Sequence, residues 1–297
     1  NGNRRKVKTT MKAIFKKVFP VYMSSMLGFV FIFFILLVCG IYYTFYNISY
    51  SYPELGPAMS SASIVLLIAA PILSMSTLAE ERKKKTDQLL LTSPVRVKDI
   101  ILGKYFALES VFLISMLVVC FYPLILSRFG TINFVSNYTA VAGFFLLGSA
   151  ELAIGVFASS LAENQIIAAV ICFALLFVSN MVRNLSNLIS DTASASFFIL
   201  FFVILILAFW LYSMIRSALA AGLAALAAEA VLAVLYLVKS SIFEGAVQKI
   251  LDAFDLSSHT DNFINGIFDV KGVIYFLSVI VIFLFLSVQK VEKRRWI

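Results

Sequence analysis

The sequence predicts an all-α polytopic membrane protein, and three observations carry that prediction. Hydrophobic residues make up 61% of the 297 and charged ones 13%, against roughly 45–50% and 25% in soluble domains. Mean hydropathy is +0.97. Apolar runs of about 20 residues, the length that crosses a bilayer as a helix, recur at 24–46, 58–79, 103–126, 139–160, 165–183, 196–215, 218–238 and 272–289. About eight transmembrane helices result. No polar stretch exceeds about 35 residues, and a globular domain needs at least about 50, so 1–297 is expected to be a single transmembrane domain.

Residues 11–22 read as an interfacial helix on the inner leaflet. Ile14, Phe15, Val18, Phe19 and Tyr22 share one side, Lys12, Lys16 and Lys17 the other, with a bend near Pro20. The first span is too long for a signal peptide and lacks a small-residue cleavage site.

The one long polar interruption is 80–104, E-E-R-K-K-K-T-D-Q-L-L-L-T-S-P-V-R-V-K-D-I-I-L-G-K. Five consecutive charges, 81–85, cannot lie in hydrocarbon, where each costs at least a few kcal/mol. Residues 86–91 suit a short amphipathic helix that Ser93-Pro94 breaks, since a residue before proline is pushed out of the α region. Val95, Val97, Ile100 and Ile101, set among Arg96, Lys98 and Asp99, restart a second amphipathic piece. Such a surface is built to be gripped by another protein.

Further along, 196–238 reads as a helix pair joined by a very short turn at Arg216-Ser217. Its second member is rich in small residues, which let helix backbones approach closely in lipid. In 240–271, the largest outside segment, Ile242, Phe243, Ala246, Val247, Ile250, Leu251 and Phe254 recur at helical spacing. That predicts a helix lying in the outer interface, followed by a short piece carrying Phe263, Ile264, Ile267 and Phe268.

The net charge of +8 invites a nucleic-acid reading, but its distribution does not support one. Seven basic residues fall in 4–17, seven in 82–104, one at Arg216 and four in 290–295. Arg128, Arg183, Lys239, Lys249 and Lys271 are the five on the opposite side. This is the positive-inside bias, with both termini cytoplasmic. No nucleic-acid partner is implied, and the clusters are expected to have a secondary role in holding anionic membrane lipids. Cys39, Cys120 and Cys172 all fall inside spans and form no metal site.

No G-x-x-x-x-G-K-[ST] loop is present. Gly103-Lys104 lacks the upstream glycine and the following hydroxyl that a phosphate cradle needs, so no catalytic, cofactor-binding or metal residue is assigned. Two alternatives remain. Glu80-Glu81 with Lys85 is a weak echo of an intramembrane protease, but the single histidine, His259, is expected across the membrane from them. An ion-coupled secondary transporter or channel would use acids at mid-membrane, for which Glu109, Glu151 and Glu229 are the candidates. Glu109 is expected to snorkel or to pair with Lys104. Glu151 and Glu229 are candidates for a translocation path or a helix interface.

Three stretches also carry a family resemblance. E-R-K-K-K-T-D-Q-L-L-L-T-S-P-V followed by I-L-G-K resembles the first cytoplasmic loop of ABC-2 type permeases, the membrane subunits of ABC exporters. A second is L-L-G-S-A-E-L-A-I-G-V-F-A-S-S-L-A-E-N-Q at 146–165. The third runs from Ser258-His259 through Asn262-Phe263, Gly266 and Asp269 to 275–278, closing with 292–296. Together they are similar to the gliding-motility and nitrous-oxide-cluster subgroup. Lys85 departs from the family pattern, which has Gly before the Thr, and Glu151 stands where an apolar residue is expected.

The resemblance implies a six-helix core, with 196–238 as an inserted pair. It implies a bacterial cell-membrane transport subunit rather than an enzyme. ATP and Mg would sit on a partner ATP-binding subunit, beside a second permease subunit, the same or a sister chain, with room for an accessory extracytoplasmic protein. The coupling element would be 80–104. Leu89, Leu90 and Leu91 are its apolar anchors and Glu81, Asp87 and Gln88 its polar contacts, whereas Lys83 and Lys84 are assigned to lipid phosphates. In a bacterial chain the N-x-[ST] triplets at Asn47, Asn137 and Asn184 are chance.

Overall fold

A computed structural model of the chain describes residues 2–86, 95–215 and 218–295. Among these, every regular element is a helix. In order they are α1 (Gly2–Ser24), α2 (Met26–Tyr43, prolonged by a π-helical turn Thr44–Ser49), α3 (Gly56–Ala62), α4 (Ile64–Ser74) and α5 (Ala79–Lys83). There follow α6 (Val97–Val119), α7 (Phe121–Leu126), α8 (Phe134–Leu161), α9 (Gln165–Leu188), α10 (Ala193–Ile215) and α11 (Ala218–Val238). The chain closes with α12 (Ala246–Asp252), α13 (Asp261–Ile264) and α14 (Val270–Arg295).

Among the described residues, six stretches are long and apolar enough to cross a membrane: Met26–Ser49, Ile64–Lys83, Val97–Leu126, Phe134–Leu161, Gln165–Val182 and Val270–Arg294. The helices α10 and α11 are 23 and 21 residues long, and their described apolar stretches are Ala193–Ile206 and Ala225–Val238. The chain forms two compact units, residues 1–178 with 259–297, and residues 179–258.

In the first unit α8 is the hub. It packs against α3, α4, α5, α6, α13 and α14. Glycines let those neighbours in: a Cβ on Gly143 would lie 2.4 Å from the Phe263 side chain, and one on Gly155 would lie 2.2 Å from Ser74 Oγ. Helix α1 keeps the predicted face. Ile14, Phe15, Val18 and Phe19 are half-buried and Tyr22 is buried, while Lys12, Lys16 and Lys17 are exposed. It lies on α6, so closely that a Cβ on Gly103 would meet Ile14 at 2.9 Å.

The end of this unit remote from α5 is held by side-chain amides. Asn137 Oδ1 accepts from Leu55 N–H at 2.6 Å and its Nδ2 donates to Pro53 O at 3.3 Å. Asn47 Nδ2 donates to the carbonyls of Tyr52 and Glu54 at 2.8 and 2.9 Å. Both asparagines are buried and committed to the backbone, which is the physical role of two of the three N-x-[ST] triplets.

The third resemblance stretch closes the same end. Phe263 is fully buried against α8, and Gly266, at φ 77°, brings the backbone within reach of Ser136, where a Cβ would sit 2.2 Å from the hydroxyl. His259 stacks on Tyr275 at 3.6 Å. Asn262 Nδ2 donates to Asp269 Oδ2 at 2.7 Å. That amide, and next the Lys271 backbone N–H, hold the Asp269 carboxyl below the usual range.

In the second unit α10 and α11 pair antiparallel, with the Phe197 and Tyr236 rings 4.7 Å apart. The predicted helix over 242–254 is shorter than its apolar spacing implies. Gly245 adopts φ 65°, and only 246–252 is helical beyond it. Phe243 and Val247 are buried, whereas Ile250 and Phe254 are exposed. Periodicity reports a face, and here a left-handed residue divides it.

Candidate functional site

The polar interruption begins in a five-residue helix tied to three membrane helices. After α4 the chain turns through Met75, Ser76, Thr77 and Leu78, and Thr77 Oγ1 donates to Ser74 O at 2.6 Å. The first backbone donors of a helix have no partner within it. For α5, Leu78 N–H and Ala79 N–H both reach Ser159 Oγ on α8 at 3.0 Å. Glu80 and Glu81 occupy the first turn and Arg82 and Lys83 the last, the arrangement that complements the helix dipole.

Arg82 continues the tie to α8. Its Nη1 donates to Ala162 O at 2.7 Å and Leu161 O at 3.3 Å, and its Nη2 meets Glu163 Oε1 at 3.1 Å. The guanidinium thereby serves carbonyls at the C-terminus of α8 that have no intrahelical donor. The stretches 80–104 and 146–165, far apart in sequence, meet here.

From α6, Lys104 completes the tie. It is only 2% exposed, and its Nζ donates to Thr77 O at 2.6 Å and pairs with Glu81 Oε2. The Glu81 side chain is 31% exposed. An exposed i,i+4 pair, Lys84 Nζ to Glu80 Oε1 at 2.6 Å, adds little.

Helix α5 ends in a motif that normally calls for glycine. Thr86 N–H bonds to Glu81 O at 2.9 Å and Lys85 N–H to Arg82 O at 3.0 Å. These are the paired bonds of a Schellman ending, whose penultimate residue is left-handed. Lys85 has φ 56°. A lysine, not a glycine, takes the left-handed position of this turn.

Of the residues predicted to form the site, Glu81 is on α5, and Asp87, Gln88, Leu89, Leu90 and Leu91 lie outside the described residues. Glu109 does not pair with Lys104. Its Oε1 accepts from Ser149 Oγ at 2.5 Å, because Lys104 is taken up by Glu81 and Thr77. Among the described residues Glu151, on α8 and 2% exposed, has no partner for Oε2, and Glu229 Oε1 on α11 is likewise without one. Sequence reasoning missed Ser159, Arg82 and the depth of Lys104. The signal within reach was Gly103, whose lack of a side chain admits α1 and closes solvent off beside Lys104.

Residues 55–183 match the family model of ABC-2 family transporter proteins. The ABC-2 match covers somewhat under half of the chain, from the start of α3 into α9. It takes in the first two resemblance stretches and the whole of the tied α5 region. No curated protein matches the chain. Among the described residues no group of His, Cys, Asp and Glu is placed to hold a metal ion.

Proposed function

We propose that this chain is the membrane-spanning permease subunit of an ABC-2 type exporter. A separate ATP-binding subunit, which carries the ATP and Mg, would drive it by gripping 80–104. The observation that carries this reading is the tying of α5 to three membrane helices inside the segment that resembles ABC-2 transporters. A coupling element must be firmly joined to what it moves. Here Ser159 and Arg82 join α5 to α8, Lys104 joins it to α6, and the chain itself joins it to α4.

In this scheme Leu89, Leu90 and Leu91 are the buried anchors of the interface, because apolar knobs carry most of an interface's energy while rim charges set orientation. Asp87 and Gln88 supply polar contacts, and Glu81 holds the element to Lys104. The α10–α11 pair is an addition to a six-helix core. Both termini are cytoplasmic in a bacterial cell membrane, and a second permease, the same chain or a sister, completes the translocation path. Glu151, buried in the hub helix with no partner for Oε2 among the described residues, contributes to that path or to the seam between permeases.

The test is biochemical. Purified with its ATP-binding subunit, the chain should change that subunit's ATPase rate. Reconstituted alone, it should neither hydrolyse ATP nor accumulate solute down an ion gradient. Robust ion-coupled uptake by the lone chain would replace this reading with a secondary transporter acting through Glu151.

A further inference from the structure

Between α1, the start of α2 and the α4–α5 turn lies a cavity of about 420 Å³, within the roughly 300–1,000 Å³ range of ligand clefts. We propose that this cavity binds the headgroup of an anionic phospholipid in the leaflet that the basic loops face.

Its position suits a lipid. Ser25 and Leu27 mark where the chain enters its first span, and Ser76, Thr77, Glu80 and Glu81 lie in the polar last part of the stretch Ile64–Lys83, so the cavity sits at the membrane boundary. One wall is apolar, with Val18, Val21 and Leu27 placed to meet acyl chains, and Val21 is 62% exposed. The floor is polar and ordered: Ser76 Oγ donates to Tyr22 OH at 3.3 Å, and Tyr22 OH to Thr77 Oγ1 at 3.4 Å.

Charge decides the class of headgroup. Three lysines and two glutamates line the cavity. Both glutamates are already taken, Glu81 by Lys104 and Glu80 by Lys84. Lys17 is left with no ion pair among the described residues, and exposed Lys12 and Lys16 lie on the same helix. Among the described residues the cleft is net positive with no spare carboxylate, which favours a phosphodiester without a compensating ammonium.

The purified full-length chain in detergent provides the test, read as the shift in thermal unfolding on adding lipid. Dioctanoyl phosphatidylglycerol should stabilise it in a saturable way, whereas dioctanoyl phosphatidylcholine and inorganic phosphate should not. Removing one lysine–phosphate contact is worth about 1 kcal/mol, or about fivefold in affinity. Lys17→Gln should therefore weaken the half-saturating concentration about fivefold. Lys16→Gln, a turn-mate outside the cavity lining, should stay within about twofold, and Lys17→Arg should retain binding. Equal losses in Lys17→Gln and Lys16→Gln would mean a diffuse basic surface and overturn the site. A response to phosphatidylcholine or to phosphate alone would overturn the assigned ligand. Because no ATP-binding subunit is involved, failure here leaves the exporter reading intact, and the reverse also holds.

Discussion

Replacing Glu81 should destabilise the whole first unit, not only a surface loop. The Lys104 side chain is 3% exposed and that of Glu81 31%. Removing one member of a buried pair costs about 3–5 kcal/mol, because the other charge is stranded, and the partial exposure of Glu81 places Glu81→Gln near about 3 kcal/mol. At about 2–4 °C per kcal/mol for a chain of this class, the apparent Tm should fall by about 6–12 °C. Lys104→Met should cost less, because its partner can turn to water. Replacing both by apolar residues removes the charges and their desolvation together, so the double variant should recover most of the loss, with a coupling of about 2–3 kcal/mol. Thermal unfolding of the purified chain in detergent, followed by intrinsic fluorescence, measures all three. Losses that simply add, within about 0.5 kcal/mol, would show that the pair does not tie α5 to α6.

Other perturbations test other joints. Lys85→Gly should leave stability unchanged or raise it by about 0.5 kcal/mol, since relief of a left-handed residue, about 1–2 kcal/mol, exceeds the entropic cost of glycine, while Lys85→Val should lower it; the same unfolding assay reads both. Gly143→Leu should abolish a monodisperse elution peak on size-exclusion chromatography, because the added side chain runs into Phe263 at 2.4 Å. Gly130→Ala, with nothing within 4 Å of its Cβ, should elute normally. With Cys39, Cys120 and Cys172 replaced, a cysteine at exposed Ser241 should react with an impermeant maleimide on intact cells and one at Ser93 only after lysis; the inverse pattern would reverse the topology.

How far the sequence could be read differed from element to element. Six of the eight expected spans and the buried face of α1 were legible because hydrophobic periodicity is local and strong, and Ile14, Val18 and Tyr22 lie where the 3.6-residue spacing puts them. The helix expected over 242–254 was misjudged in length: its apolar residues keep the spacing, but Gly245 takes a left-handed turn that spacing does not register. At the site, a lysine ending I-L-G-K reads as an interfacial charge. Its burial depends on Glu81, 23 positions earlier, and on α1 lying across Gly103, neither of which has a sequence period. The same holds for Glu109, whose partner Ser149 sits on another helix, and for Ser159 and Arg82, which join segments about 80 residues apart.

Glu81 is also a poor probe of docking, because its loss disturbs Lys104 whether or not a partner is bound. Leu90 is cleaner, since its assigned work is on the partner alone. Burying one leucine contributes about 1.5–3 kcal/mol, and forcing a carboxylate into that place adds a desolvation cost. Leu90→Asp should therefore abolish co-purification of the ATP-binding subunit while the chain inserts in the membrane at normal levels and keeps its own Tm. If Leu90→Asp leaves both the complex and transport intact, 80–104 is not the coupling element.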